Sequence, residues 1–275
     1  MEFAAQSAPI AAPAPAGPGR VTLAGAGPGD PELLTVKALR RLAEADVIVH
    51  DALISEAIRA LFPPGALVFD VGKRAGTRCE VPQDETNRLL VRLARQGMRV
   101  VRLKGGDPLV FGRGGEEALH LAAAGIPCEI VPGISAANGA ASAAGIPLTH
   151  RGLSRACILL DGHGPHLDSI DWRALVTLGG TWVFFMAAHG AQDIARRLLA
   201  HGAEPALPLA LVQGASRPGE RVVQGILEAV AREGLPATGG EPGLVLVGPT
   251  VALRESLAPF IVEERAHGAP LSPQP

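Results

Sequence analysis

The chain has 275 residues, a formal net charge of −2 and an apolar fraction of 47%, a balance that supports a substantial core and excludes a disordered chain. Its basic residues are scattered, so no general field draws in nucleic acid, and an anionic ligand must be met by local arginines. Cys79, Cys128 and Cys157 lie too far apart for a disulfide framework or zinc knuckle, and no apolar run reaches the ~18 residues of a membrane helix, so the chain reads as cytoplasmic with no membrane partner.

In chain order, residues 1–19 are rich in alanine and proline with no basic residue before Arg20, unlike a signal peptide, and are expected to form a flexible tail. Residues 20–24 read as a strand, 33–45 as a helix and 47–49 as a second strand, which is the rhythm of a parallel sheet. Strands at 68–71, 100–103 and 128–131 alternate with helices at 83–96 and 115–124, and Gly97 and Gly125 stand where those helices should stop. The pattern breaks at Pro132-Gly133, where an alanine-rich helix opens a second series. Strands at 157–161, 181–186, 209–212, 221–225 and 244–247 are expected there, with helices near 171–176 and 191–200. A turn at Arg217-Pro218-Gly219 would set 221–225 antiparallel to its predecessor, making the second sheet mixed. The expected organisation is therefore α/β in two domains, 20–131 with a mainly parallel sheet and 132–264 with a mixed one, followed by a second tail at 265–275.

Two loops stand out. The strand at 100–103 runs into Lys104-Gly105-Gly106-Asp107-Pro108-Leu109-Val110-Phe111-Gly112-Arg113-Gly114-Gly115-Glu116-Glu117, whose glycines permit φ > 0 and a close backbone approach to a ligand. Its polar heads follow a strand end, the place where open α/β sheets bind ligands. The other loop, Gly25-Ala26-Gly27-Pro28-Gly29-Asp30, first suggests a dinucleotide fingerprint with Asp51 as the ribose acid. Its spacing disagrees, because Asp30 stands where the third glycine belongs and Pro28 and Pro31 remove amides a pyrophosphate would need. By themselves these residues also suit a tight turn; Asp51 alone suits a helix cap for 52–60, Lys73 a solvated charge, and Met186 core packing.

Taken together, Val21 to Pro31, the 100–117 segment and Val131-Pro132-Gly133-Ile134-Ser135-Ala136 resemble the tetrapyrrole methylases, and within them the branch acting on uroporphyrinogen III. Val71-Gly72-Lys73-Arg74-Ala75-Gly76 and Gly145-Ile146-Pro147-Leu148-Thr149-His150-Arg151 fall in the same order. The resemblance implies a homodimeric enzyme with its active site in a cleft between two domains. It implies methyl transfer from S-adenosylmethionine to C2 and C7 of uroporphyrinogen III, giving precorrin-2 through precorrin-1. The lack of a fused dehydrogenase or chelatase segment would fit a methylase that stands alone.

Carried over residue by residue, the resemblance implies cofactor contacts from Pro28, Gly105, Gly106, Asp107, Val110, Ser135, Ala136, Met186 and Gly214. A sulfonium needs only carbonyl dipoles and a dry pocket, while the amino-acid end needs backbone partners. Asp51 is implied as proton acceptor and Lys73 as proton donor, since methylating a pyrrole carbon leaves a cationic ring that must lose a proton. Arg113 joins them in catalysis, and Arg74, Arg113, Arg151 and His163 are placed against the substrate's eight carboxylates, which forked guanidinium groups match well. Surface salt bridges are the ordinary alternative for each arginine. His163-Gly164-Pro165-His166 lacks a cysteine or acidic partner at ligand spacing, so no metal is expected, and Glu116 and Glu117 suit a helix start by charge alone. The chain has no tyrosine; His50 and Phe185 stand where this family commonly has one, Leu109 replaces a frequent Phe, Ser135 a frequent Thr and Gln213 a frequent Glu. Rival readings are a later precorrin methylase, an RNA methylase, a nicotinamide-dependent oxidoreductase on the Gly25 loop, and a tetrapyrrole-binding module without turnover.

Overall fold

A computed structural model describes residues 19–72, 82–236 and 240–261. All but Gly19 of the expected first tail, the whole of the second, and Lys73 and Arg74 lie outside the described residues. The chain forms two compact units that divide between Ser135 and Ala136.

The first unit contains β1 (Arg20–Gly25), α1 (Val36–Ala43), β2 (Val47–His50), α2 (Glu56–Arg59), β3 (Leu67–Asp70), α3 (Gln83–Arg95), β4 (Arg99–Lys104), α4 (Gly114–Ala123) and β5 (Cys128–Val131). Its strands are ordered β3-β2-β4-β1-β5, and every neighbouring pair is parallel, so all five C-terminal ends share one edge. Helices cover both faces, as a parallel sheet requires. Leu42 of α1 and Ile58 of α2 bury Ala24, Ile48, Val101 and Leu103 on one face. Leu90 and Val91 of α3 with Leu121 of α4 bury Leu23, Val49 and Val100 on the other.

The helix expected over 33–45 is shorter and starts later. Residues Pro31–Leu33 form a 3₁₀ turn in which the Asp30 carboxylate accepts the Glu32 amide, and α1 begins only at Val36, where Thr35 Oγ1 accepts the Ala38 amide. Two capping side chains so close together divide the segment into two starts. Nor does Asp51 cap a helix over 52–60; α2 is one turn, capped by Ser55, whose Oγ accepts the Ile58 amide and donates to the Gly29 carbonyl at 2.6 Å.

The second unit contains α5 (Ala136–Ala144), β6 (Cys157–Asp161), α6 (Trp172–Leu178), β7 (Thr181–Phe185), α7 (Ala191–Ala200), β8 (Pro208–Gln213), β9 (Arg221–Ile226), α8 (Leu227–Glu233) and β10 (Gly243–Val247). The strand order is β6-β7-β10-β8-β9, with β6 and β7 parallel and the other pairs antiparallel, so this sheet is mixed. Trp172 stacks on Phe184 at 5.9 Å in a core closed by Ile194, Leu198, Leu227 and Val230. The turn at Arg217-Pro218-Gly219 joins an antiparallel β8–β9 pair as its sequence indicates. Helix α8 was not expected; Leu227 and Val230 are its only buried positions, too few to show a helical period.

Charge also ties α1 to the edge strand β5. Lys37 Nζ and Arg41 Nε lie 2.7 and 2.6 Å from the Glu129 carboxylate. The Arg41 hydrogen bond, opposed by burial and helped by the Lys37 hydrogen bond, lowers the Glu129 carboxyl to about 2 from an ordinary 4.5. A depressed carboxyl stabilises the fold above its unfolded value, and this contribution is lost as pH falls toward 2. Glu129→Gln is expected to lose about 1 kcal/mol at neutral pH, allowing for partial exposure, with the difference from wild type closing below pH ~3 in denaturant titrations.

Candidate active site

Three loops leave the C-terminal ends of β1, β4 and β5 and meet backbone to backbone. Gly27 and Gly106 exchange two hydrogen bonds, the Gly27 amide to the Gly106 carbonyl at 3.1 Å and the reverse at 2.8 Å. A Cβ on Gly25 would lie 2.5 Å from the Gly106 oxygen and 2.6 Å from the Gly133 Cα, and one on Gly133 would lie 2.3 Å from the Gly106 oxygen. Asp107 fastens the junction, accepting the Leu109 amide on Oδ1 at 2.8 Å and the Gly133 amide on Oδ2 at 3.1 Å. Pro28 is buried beside it, and Gly105, Val110 and Ser135 are half-buried.

The glycines of the long loop serve mainly as space. Only Gly106 among residues 105–115 uses left-handed backbone as a glycine, with φ 67°, whereas Phe111 and Arg113 adopt φ 51° and 58°. Gly112 and Gly114 instead let the chain close on the Pro108 carbonyl, which a Cβ on either would meet within 2.7 Å. Arg113 precedes α4, and its guanidinium grips Glu116 through Nε at 3.1 Å, holding that carboxyl below its ordinary range.

Beneath this loop the sequence reading missed a buried ionic cluster. Arg102 and Lys104 alternate along β4 and point to the α3–α4 face, where Glu117 is fully buried. Glu117 Oε1 accepts from Arg102 Nε at 3.1 Å, Lys104 Nζ at 3.0 Å and Gln83 Nε2 at 3.0 Å, and Oε2 has no hydrogen-bond partner among the described residues. Arg102 Nη1 donates to the carbonyls of Val49 and Leu103, and Nη2 donates to Asp51 Oδ1. Lys104 Nζ lies 4.0 Å from Asp51 Oδ2, and burial, with Arg102 second, pushes its ammonium down. Two cations two apart in a central strand were the available signal, since a parallel strand covered on both faces must pair them. Helix-start charge was therefore an insufficient account of Glu117.

In the second unit, β6, β7 and β8 run in one direction, because β10 is antiparallel to both β7 and β8. His163, Met186 and Gly214 consequently follow strand ends along one edge of that sheet. Met186 is exposed with φ 56°, so it is not core, and Gly214 takes φ 59° with its amide on the Pro242 carbonyl at 3.0 Å. The His163 amide donates to Asp161 Oδ1 at 2.9 Å, and His166 Nδ1 lies 3.1 Å from Asp161 Oδ2, an acidic neighbour the spacing reading overlooked. Arg151 lines a separate open groove of about 720 Å³ with His150 and Arg155. Ala136 opens α5.

The family model of the Tetrapyrrole (Corrin/Porphyrin) Methylases matches residues 20–231. The chain belongs to the tetrapyrrole methylases. This tetrapyrrole methylase is 48% identical over 250 residues to the uroporphyrinogen-III C-methyltransferase of Paracoccus denitrificans, covering 88% of the chain and 85% of that protein. It is 48% identical over 247 residues to a siroheme synthase of Methylobacillus flagellatus, covering 88% of the chain and 52% of that protein, so it spans about half the length of the siroheme synthases it matches. Among solved structures, the uroporphyrin III C-methyl transferase of Thermus thermophilus, in native form and complexed with S-adenyl homocysteine, superposes with TM-score 0.74 at 42% identity over 86% of the chain and 100% of that protein. A cobalt precorrin-4 methyltransferase superposes with TM-score 0.73 at 28% identity over 84% of the chain and 95% of that protein.

In this methylase the Gly25 loop leads into a 3₁₀ turn and Asp51 pairs with a guanidinium, so neither half of a dinucleotide fingerprint is present. Gly133→Ala is expected to destabilise by about 2–3 kcal/mol, because both clashing partners are backbone and cannot swing aside. Gly115→Ala, a helix position with nothing within 4 Å of the added carbon, should leave the melting temperature unchanged or raise it. Thermal melts of the two variants compare these outcomes directly.

Proposed function

We propose that the chain is an S-adenosylmethionine-dependent C-methyltransferase that converts uroporphyrinogen III to precorrin-2, methylating C2 and C7 by way of precorrin-1, and that it acts as a homodimer in the cytoplasm. The observation that carries this reading is the convergence of the Gly25, Gly105–Asp107 and Gly133 loops at one sheet edge, in a chain similar over 88% of its length to a uroporphyrinogen-III C-methyltransferase. Such a junction of peptide groups, with the Asp107 carboxylate already engaged by two amides, suits a sulfonium and an amino-acid end better than a pyrophosphate. When bound, S-adenosylmethionine supplies an electrophilic methyl group.

Pro28, Gly105, Gly106, Asp107, Val110 and Ser135 of the first unit, with Ala136, Met186 and Gly214 of the second, are the residues we assign to the cofactor. Asp107 would act chiefly by keeping two loops in register through its two amide contacts. Asp51 takes the proton whose loss returns the methylated, cationic macrocycle to neutrality, and Lys73 is its proposed donor counterpart. Arg74, Arg113, Arg151 and His163 receive substrate carboxylates, and Arg113 must then exchange its exposed contact with Glu116 for a substrate group. Holding a preactivated methyl in line with a nucleophilic carbon accounts for rate without covalent catalysis.

Anaerobic incubation with enzymatically generated uroporphyrinogen III and S-adenosylmethionine should yield a product carrying two added methyl groups by mass. Asp107→Ala is expected to weaken S-adenosylmethionine binding at least ~10-fold in calorimetry, about 1.4 kcal/mol. Arg113→Ala should raise KM for uroporphyrinogen III ~10-fold while leaving cofactor affinity unchanged. Binding of S-adenosylmethionine without methylation of uroporphyrinogen III would move the substrate to later corrin precursors.

A further inference from the structure

We infer that Arg102 and Glu117 are positioning residues for Asp51, a fully buried anchor that holds one carboxylate oxygen and leaves the other to receive the substrate proton. This rests on the reading of Asp51 as proton acceptor. Arg102 and Glu117 side chains are 4% and 0% exposed, so neither can touch substrate directly, whereas Asp51 is 27% exposed. The guanidinium uses Nε on Glu117 and Nη1 on the Val49 and Leu103 carbonyls, and those three contacts fix its plane. Its last nitrogen, Nη2, reaches outward to Asp51 Oδ1. A rigid fork fixed at one end sets the orientation of what it grips at the other. Asp51 Oδ2, by contrast, has only Lys104 Nζ, at 4.0 Å, as an ion-pair partner among the described residues. His50, the preceding residue, turns its Nδ1 to the Asp51 carbonyl at 3.0 Å and away from the carboxylate.

The cluster is poorly arranged for stability. Three donors crowd Glu117 Oε1 while Oε2 is buried without a partner among the described residues, and four charges sit against an apolar face formed by Leu90, Val91 and Leu121. Neutral side chains of similar shape commonly replace such buried pairs with no loss of stability or with a gain. A device of little use to stability that nevertheless fixes a partly exposed carboxylate just beyond β2 is explained by what it does to that carboxylate.

The test compares Arg102→Met/Glu117→Gln, which removes one charge of each sign, with Asp51→Asn and with the triple variant. The double variant should melt at or above the wild-type temperature and keep KM for uroporphyrinogen III and S-adenosylmethionine affinity within ~2-fold, while kcat falls ~10–100-fold. In the triple variant the double substitution should add no further loss to that of Asp51→Asn. Wild-type kcat in the double variant, or the same fold-loss repeated on the Asp51→Asn background, overturns the positioning role. If Asp51→Asn alone keeps wild-type kcat, the reading of Asp51 fails, and the proposal with it. Should the double variant not fold, Arg102→Lys keeps the charge without the fork; reduced kcat at unchanged KM supports the proposal, and wild-type kcat overturns it.

Discussion

The contact of three backbones at Gly25, Gly106 and Gly133 is the constraint on which the first unit's site depends. β1 lies between β4 and β5, so the chain leaving each strand must turn within the same few ångströms. Side chains at these positions would force the loops apart, and the paired hydrogen bonds between Gly27 and Gly106 would be lost. Asp107 stands at the right place to stitch the last two loops together because it follows the double glycine that allows the close approach. The result is a close junction of peptide groups fastened by one carboxylate, at the edge where parallel sheets present their ligand sites.

Charge is used in two ways in the first unit. At the surface, pairs such as Arg99 with Asp46 and Arg41 with Glu129 join neighbouring elements and are individually modest. Inside, Arg102, Lys104, Asp51 and Glu117 form a compact neutral cluster, where removing one member leaves an uncompensated buried charge. The two uses differ in what they require of the sequence. A surface pair needs only reach, whereas a buried cluster needs a donor for every acceptor in a fixed geometry, a demand that Glu117 Oε2 does not have met among the described residues.

Much of the strand pattern could be read from apolar runs ending in glycine or proline, because a fully buried parallel strand is nearly continuous in Val, Ile and Leu. Helix starts were less legible. Asp30, Thr35 and Ser55 all cap, and only the folded chain shows that Asp51 does not. Glycine was legible as a signal of close approach but not as a choice between its two causes. In the 105–115 loop the left-handed backbone at Phe111 and Arg113 falls on residues with side chains, while Gly112 and Gly114 make room for the Pro108 carbonyl. Glu117 does stand in the first turn of α4, as expected, but its ion pairs were not legible because its partners Arg102 and Lys104 come from a strand packed against that helix.

By itself the sequence determined the family, the alternation of strands and helices, and the loops whose glycines cannot carry side chains, since these depend on residues close together in the chain. The tertiary structure decided which carboxylate each buried cation meets, how Asp107 bonds the loop after β5, and that His163, Met186 and Gly214 share one sheet edge. Those relations join residues many positions apart, and they are set by strand order and direction, which local propensity does not encode.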